Sequence, residues 1–290
     1  MKKLILIVAL ALNFNSTFAQ ESIIEVKEGW SKKGHIVFLF SQFGFSHWVT
    51  GGDNNVAGNL GLDYDFNFVK KNNTWDTKII AAYGLIKSKN VDFAKKTDDR
   101  FELNSVIGKK ASKNWYYSAF VNFQTQFTKG YIYKKNSNGR EIREEHTDFM
   151  SPAVLTFGPG MQWKKSNELK FNIAPATSKL TMVDPKFTLP NNAYFGVEAG
   201  RNSKYELGFS AAGYGKFGIM ENVTMETILI FFSDYLESPQ NIDIDYTTNV
   251  TMKVNTHLST KFTFQTIYNN NAFKGFQIRE LFGFGFNYNF

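Results

Sequence analysis

Val56-Ala57-Gly58-Asn59-Leu60-Gly61-Leu62-Asp63-Tyr64-Asp65-Phe66-Asn67-Phe68-Val69 decides the fold class. Val56, Gly58, Leu60, Leu62, Tyr64, Phe66 and Phe68 alternate with Ala57, Asn59, Gly61, Asp63, Asp65 and Asn67. Successive side chains of a strand point to opposite faces, so this period of 2 makes one greasy face and one polar face. Trp115 to Phe127 repeats the pattern: Trp115, Tyr117, Ala119, Val121, Phe123, Thr125 and Phe127 oppose Ser118, Asn122, Gln124 and Gln126. Ile242 to Asn255 does so again, and no stretch carries a 3.6-residue stripe. Soluble strands average about 5–6 residues, whereas these run to about 13, a length that suits a tilted crossing of a bilayer.

Composition agrees. The 290 residues are 43% hydrophobic, 20% charged and 17% aromatic, with 30 Phe and 6 Pro. Mean hydropathy is −0.30. Beyond the N-terminus no apolar run approaches the roughly 18–20 residues of a membrane-spanning helix, which excludes a polytopic helical protein. Zero Cys excludes disulfides, thiolate metal sites and cysteine nucleophiles. Net charge is +7 and the isoelectric point about 9.2, a balance that suggests nucleic acid or an anionic membrane as partner. Met1-Lys2-Lys3, the apolar Leu4 to Leu12 and the closing Thr17-Phe18-Ala19 have the layout of a secretory signal peptide over residues 1–19. Its cleavage removes Lys2 and Lys3 and leaves +5 on an exported chain, so nucleic acid is not expected as a partner.

The connections alternate in length, as in outer-membrane barrels. Short ones are expected at 70–74, 109–114, 164–168, 220–222 and 255–257, and longer ones at 47–55, 87–97, 128–148, 178–204, 236–241 and 269–275. Twelve strands follow, over 34–46, 56–69, 75–86, 98–108, 115–127, 149–163, 169–177, 205–218, 223–235, 243–254, 258–268 and 276–290. The expected fold is all-β, a transmembrane antiparallel up-and-down barrel over 34–290, preceded by a periplasmic segment at 20–33. Asn192–Gly200 is the segment that would change the strand count by joining the barrel.

The C-terminal run Phe282, Phe284, Phe286, Tyr288 and Phe290 resembles the last strand of bacterial outer-membrane proteins. That resemblance implies that Phe286, Tyr288 and Phe290 are read by the barrel-assembly machinery. A soluble sheet ending in such an uncharged hydrophobic edge would be prone to aggregation, which barrel closure avoids. A wider resemblance rests on Trp48-Val49-Thr50-Gly51-Gly52-Asp53-Asn54, Lys96-Thr97-Asp98-Asp99-Arg100-Phe101-Glu102-Leu103, and Trp115-Tyr116-Tyr117 running into Thr125-Gln126-Phe127. Lys129-Gly130-Tyr131, Asp148-Phe149-Met150-Ser151-Pro152-Ala153 and Asn172-Ile173-Ala174-Pro175 complete it. Together these segments resemble a Bacteroidota outer-membrane family catalogued as domain of unknown function 3078. The resemblance spans about Trp30 to Phe290 and implies an outer-membrane barrel, with no activity or catalytic residues to carry over.

Chemistry-bearing patterns are few. Gly213-Tyr214-Gly215-Lys216-Phe217-Gly218 matches G-x-G-x-x-G, but a strand follows where a dinucleotide site needs a helix N-terminus. His35, His47, His146 and His257 form no close ligand pair. Ser46 and His47, as neighbours on a strand, point apart, and His146 near Asp148 reads as a solvated loop residue. No catalytic, cofactor-binding or metal-ligating set is expected, and an enzyme is not the favoured class. The expected lumen face presents Asp63, Asp65, Asp76, Glu102, Glu206, Glu226, Asp243 and Asp245 beside Lys78, Arg100, Lys170, Lys253, Lys261 and Arg279. Both signs are mixed, which predicts pairing inside a narrow or plugged lumen rather than a separated selective field. At the rim and in the first long loop, Trp48, Gly51, Gly52 and Asp53 read as a compact turn with an interface anchor. Asp98 and Asp99 enter the next strand either as an Asp–Arg pairing that orders the rim or as a cation contact.

The expected partners are outer-membrane lipid and, during biogenesis, the assembly machinery. Three functional classes stay open, in this order: a small passive channel or membrane-embedded scaffold, a subunit of a larger outer-membrane complex, and a barrel enzyme acting on lipid or surface polymer.

Overall fold

The computed structural model describes residues 28–46, 53–89, 91–189 and 192–290. The expected signal peptide at 1–19 and Trp48, Gly51 and Gly52 lie outside the described residues. The strands are β1 (Gly29–Phe43), β2 (Asn55–Lys70), β3 (Asn73–Ser88), β4 (Lys95–Lys110), β5 (Trp115–Thr125), β6 (Gly130–Lys135) and β7 (Glu141–Thr147). They continue as β8 (Ala153–Lys164), β9 (Leu169–Met182), β10 (Ser203–Met220), β11 (Val223–Asp234), β12 (Ile242–Lys253), β13 (Leu258–Asn269) and β14 (Phe273–Asn289). Twelve of them close into an antiparallel barrel in sequence order, with β5 beside β8, and β6 pairs with β7 as a hairpin outside it. The expected twelve-stranded all-β barrel is the observed architecture. Asn192–Gly200 does not join it: Tyr194 and Val197 form an isolated bridge within the β9–β10 loop.

Two boundaries differ instructively from the sequence reading. β1 begins at Gly29, inside the expected periplasmic segment 20–33, because Gly29-Trp30-Ser31-Lys32-Lys33 pairs with Asp65 to Val69 of β2. β9 runs on to Met182 rather than ending near Thr177. Its ladder with β8 pairs Phe157 with Ser178 and then Met161 with Ile173, leaving Pro159 and Pro175 in the irregular stretch. Proline donates no ladder hydrogen bond, so it is tolerated at such a bulge. Gly158 and Gly160 admit the β9 backbone there, because a Cβ on either would collide with the carbonyl of Ala176 or of Ile173.

Cross-strand partners share a face, so the registers sort the chain into an inside and an outside. Asp63 opposes Ile80, Asp65 opposes Lys78 and Asn67 opposes Asp76. The same face continues through Glu102 and Gln124 on β4 and β5. Leu60, Ile278, Phe282 and Phe286 lie on the other face, 53%, 65%, 65% and 57% exposed. An apolar surface this open is stable only against an apolar surrounding.

The barrel closes at a short seam. β1 and β14 pair over six positions, from His35 with Asn289 to Phe40 with Phe284. By contrast β1 and β2 pair over fifteen, from Gly29 with Val69 to Phe43 with Asn55. One further step is added by Gly34 and Phe290, whose backbones exchange hydrogen bonds of 2.7 and 3.0 Å.

Candidate functional site

The lumen is the concave region where polar chemistry converges. The inward rows of the twelve strands carry the fourteen charged residues named from the sequence. Lys78 on β3 lies 3.4 Å from Asp65 on β2 and 3.4 Å from Glu226 on β11. β3 and β11 are six strands apart around a ring of twelve, so the second contact spans the lumen from wall to wall. The Tyr214 hydroxyl donates to Glu226 at 2.8 Å. Nearer the turn end, Lys164 donates to both oxygens of Asp76 at 2.8 and 2.7 Å, and Lys170 stands 3.5 Å away. Toward the loop end, Lys179 reaches Asp243 at 2.8 Å and Glu206 at 3.3 Å. Arg100 pairs with Glu102, whose other oxygen accepts from Asn104 at 2.7 Å. Asp245 accepts from Gln265 at 3.0 Å. Lys253 and Lys261 share the inward row of β12 and β13 but form no ion pair among the described residues.

The two rim aspartates separate. Asp98 points inward and meets Arg279 of β14 at 2.5 Å, an Asp–Arg pairing across the lumen. Asp99 points outward, pairs with Lys96 at 2.6 Å, and accepts from the Phe127 and Thr128 backbone amides at 2.7 and 3.0 Å. It thereby ties the chain leaving β5 to β4. Asp53 stands two residues before β2. Phe286, Tyr288 and Phe290 follow the outward parity of β14 at the seam.

Several inward residues escaped the sequence reading. Lys164 falls in the expected short connection 164–168, yet it is the last residue of β8, opposite Lys170 in the inward row, where its ammonium meets buried Asp76. Lys179 was placed in a long loop that is in fact the continuation of β9. Ile228, Ile230 and Phe232 share the inward row of β11 with Glu226, opposite Thr247, Asp245 and Asp243. That row was readable from parity, but β11 is apolar on both faces, so hydropathy alone did not mark its inner side.

Above the loop end, the β9–β10 connection is packed rather than loose. Val197 and Thr188 are fully buried. Lys186 bridges to Glu145 on β7 and to Asp148, each at 2.6 Å. These two carboxylates hold the Lys186 ammonium above the ordinary lysine value. Lys186 in turn holds Asp148 below the ordinary carboxylate range, and Lys129 with Lys186 does the same for Glu145. His146 sits edge-on to Tyr194 at 5.7 Å, and partial burial keeps its imidazole below the usual histidine value. The residue itself stays exposed, so it is a solvated histidine with a ring contact.

Cavities follow one another along the lumen. About 150 Å³ lies at the loop end around Lys204, Glu237 and Asn271. About 240 Å³ follows between Phe120, Ile230 and Phe232. About 70 Å³ surrounds Arg100, Lys261 and Arg279. About 210 Å³ lies at the turn end around Asp76, Lys170 and Tyr214. No group of three or more His, Cys, Asp or Glu with metal-holding geometry occurs among the described residues.

No curated protein matches the sequence. The translocator domain of the autotransporter NalP from Neisseria meningitidis is 10% identical, with 100% of this chain and 94% of that one covered and a TM-score of 0.36. The β domain of the Bordetella autotransporter BrkA is 8% identical, covering 91% and 100%, with a TM-score of 0.36. An outer-membrane channel from Pseudomonas putida F1 is 9% identical, covering 93% and 99%, with a TM-score of 0.39. At these scores none of the three bears on activity. The family described as Protein of unknown function (DUF3078) matches residues 40–131, which supports the family that the sequence motifs resemble.

Proposed function

We propose that the protein is an outer-membrane barrel, of the Bacteroidota family its motifs resemble, acting as a narrow conduit barred by its own side chains. The exposed apolar outer face supports the membrane setting, and the C-terminal aromatics support delivery by the barrel-assembly machinery. One observation carries the conduit reading: Lys78 meets Glu226 from the opposite wall at 3.4 Å. A wide porin leaves an aqueous channel, whereas barrels near eight strands are filled by side chains, and twelve lies between. The bar here consists of side chains, with cavities on either side of it. Such a bar passes small solutes or ions when the pair separates. No enzymatic step enters this reading.

Single-channel recording in planar bilayers tests it. The wild-type barrel is expected to show small conductance, and the double variant Lys78→Ala with Glu226→Ala several-fold more. A large steady wild-type conductance would overturn the barred lumen. Silence in both proteins would remove conduction and leave the scaffold.

A further inference from the structure

A charged lumen has no need of an apolar chamber, yet this one contains such a chamber. The cavity of about 240 Å³ is walled by Val106, Phe120, Val154, Ile230 and Phe232, drawn from four strands. These side chains point inward by register: Val106 opposes Phe120, and Phe232 opposes Asp243. Amides, hydroxyls and carboxylates, among them Asn104, Thr156, Asn172 and Ser210, complete the lining. Water against the apolar side alone finds fewer of the two to four polar partners it needs, and a cavity of about 150 Å³ already accommodates benzene. The present volume therefore suits one six-membered ring with a substituent.

The polar groups at its border select further. Lys179 is already held by Asp243 and Glu206, and it lies 4.5 Å over the Phe232 ring. Asp245 accepts from Gln265 at 3.0 Å. Asp245 also lies within Coulombic range of Arg100 and Arg279, so each of these charges already faces an opposite one. What remains are amides. Asn122 gives its amide hydrogens to Asn104 at 2.6 Å and to Glu102 at 3.4 Å, while its carbonyl accepts nothing among the described residues. Gln124, two residues along the same inward row, has no hydrogen-bonded side-chain partner among them either.

We infer that this chamber is a binding site for a small neutral molecule with an aromatic or alicyclic body and one hydroxyl or amide. The body lies against Phe120, Ile230 and Phe232, and the polar end meets the amides of Asn122 and Gln124. The site goes beyond the conduit reading and stands whether or not the barrel conducts.

The test uses the full chain folded in detergent, with isoleucine δ-methyl groups labelled for NMR and phenol as the probe. Ile230 reports from inside the chamber, whereas Ile107 and Ile278 face outward and report ligand dissolved in the detergent. Phenol is expected to shift the Ile230 methyl saturably. Ala212→Phe and, separately, Val106→Phe fill the chamber and are expected to abolish that shift by at least tenfold in affinity. Both variants are first checked for folding by their heat-modifiable gel migration, and either folded variant suffices. Shifts confined to Ile107 and Ile278 would overturn the site, as would an Ile230 shift that survives the filled chamber. An equal, saturable shift with D-glucose would overturn the ligand class.

Discussion

Lys186 shows how much one exposed side chain organises at the loop end. It joins the β9–β10 loop to the hairpin through Glu145 and Asp148. The signs of its pH dependence are fixed by the shifts. The carboxylates lie below their ordinary values in the folded state, so their contribution is complete above about pH 4 and is lost as acid protonates them. Lys186 lies above its ordinary value, so its contribution is complete below about pH 10 and is lost in stronger base. All three groups meet solvent, and salt screens them. Spin labels at Asn138 and Asn192 are expected to give a narrow distance distribution at pH 7 that broadens at pH 3. Lys186→Ala should broaden it at pH 7. An unchanged distribution in that variant would mean that the Tyr194, Phe187 and His146 rings hold the loop without the charges.

At the scale of elements, the seam between β1 and β14 is the weak join. A barrel without edges is stable because every backbone group finds a partner, and here the closing pair contributes the shortest ladder. Phe290 lies over Gly34, where any Cβ would strike its ring. Gly34→Val is therefore expected to displace Phe290 and to lower the temperature at which the heat-modifiable band converts, while Gly218→Ala, at a position with open space, leaves it unchanged. Equal effects from both would show that the seam does not depend on this contact. The elements themselves were largely legible in the sequence, since period 2 marks a strand whichever partner it finds. The parity of Asp63 and Asp65 predicted which face they share. Legibility failed beyond the bulge around Pro175, where β9 runs on through Lys179, and at Lys164, whose place in the inward row shows only once β8 pairs with β9. A bulge and a strand end both depend on partners distant in sequence. The chamber at Ile230 and Phe232 was hidden for a related reason: an all-apolar strand gives no hydropathic hint of which side is inner.

For the whole molecule, the interior is a lattice of opposite charges rather than a field of one sign. Ion pairs weaken as the Debye length falls from about 10 Å at 0.1 M salt to about 3 Å at 1 M. Bilayer conductance of the wild-type protein is therefore expected to rise faster than in proportion to salt, because salt both supplies carriers and loosens the Lys78–Glu226 bar. The double alanine variant should show simple proportionality. Proportionality in the wild type as well would place the restriction elsewhere than at this pair.

The bar also has a tempo. Exposed side chains change rotamer in picoseconds to nanoseconds, whereas a loop that swings aside needs up to microseconds. Lys78 and Glu226 are 17% and 19% exposed and paired, so they part more slowly than free side chains. No backbone has to move, however, and the lumen they close opens too briefly for an electrode to follow. Its passage appears as a lowered, noisy average current, not as a sequence of resolved steps.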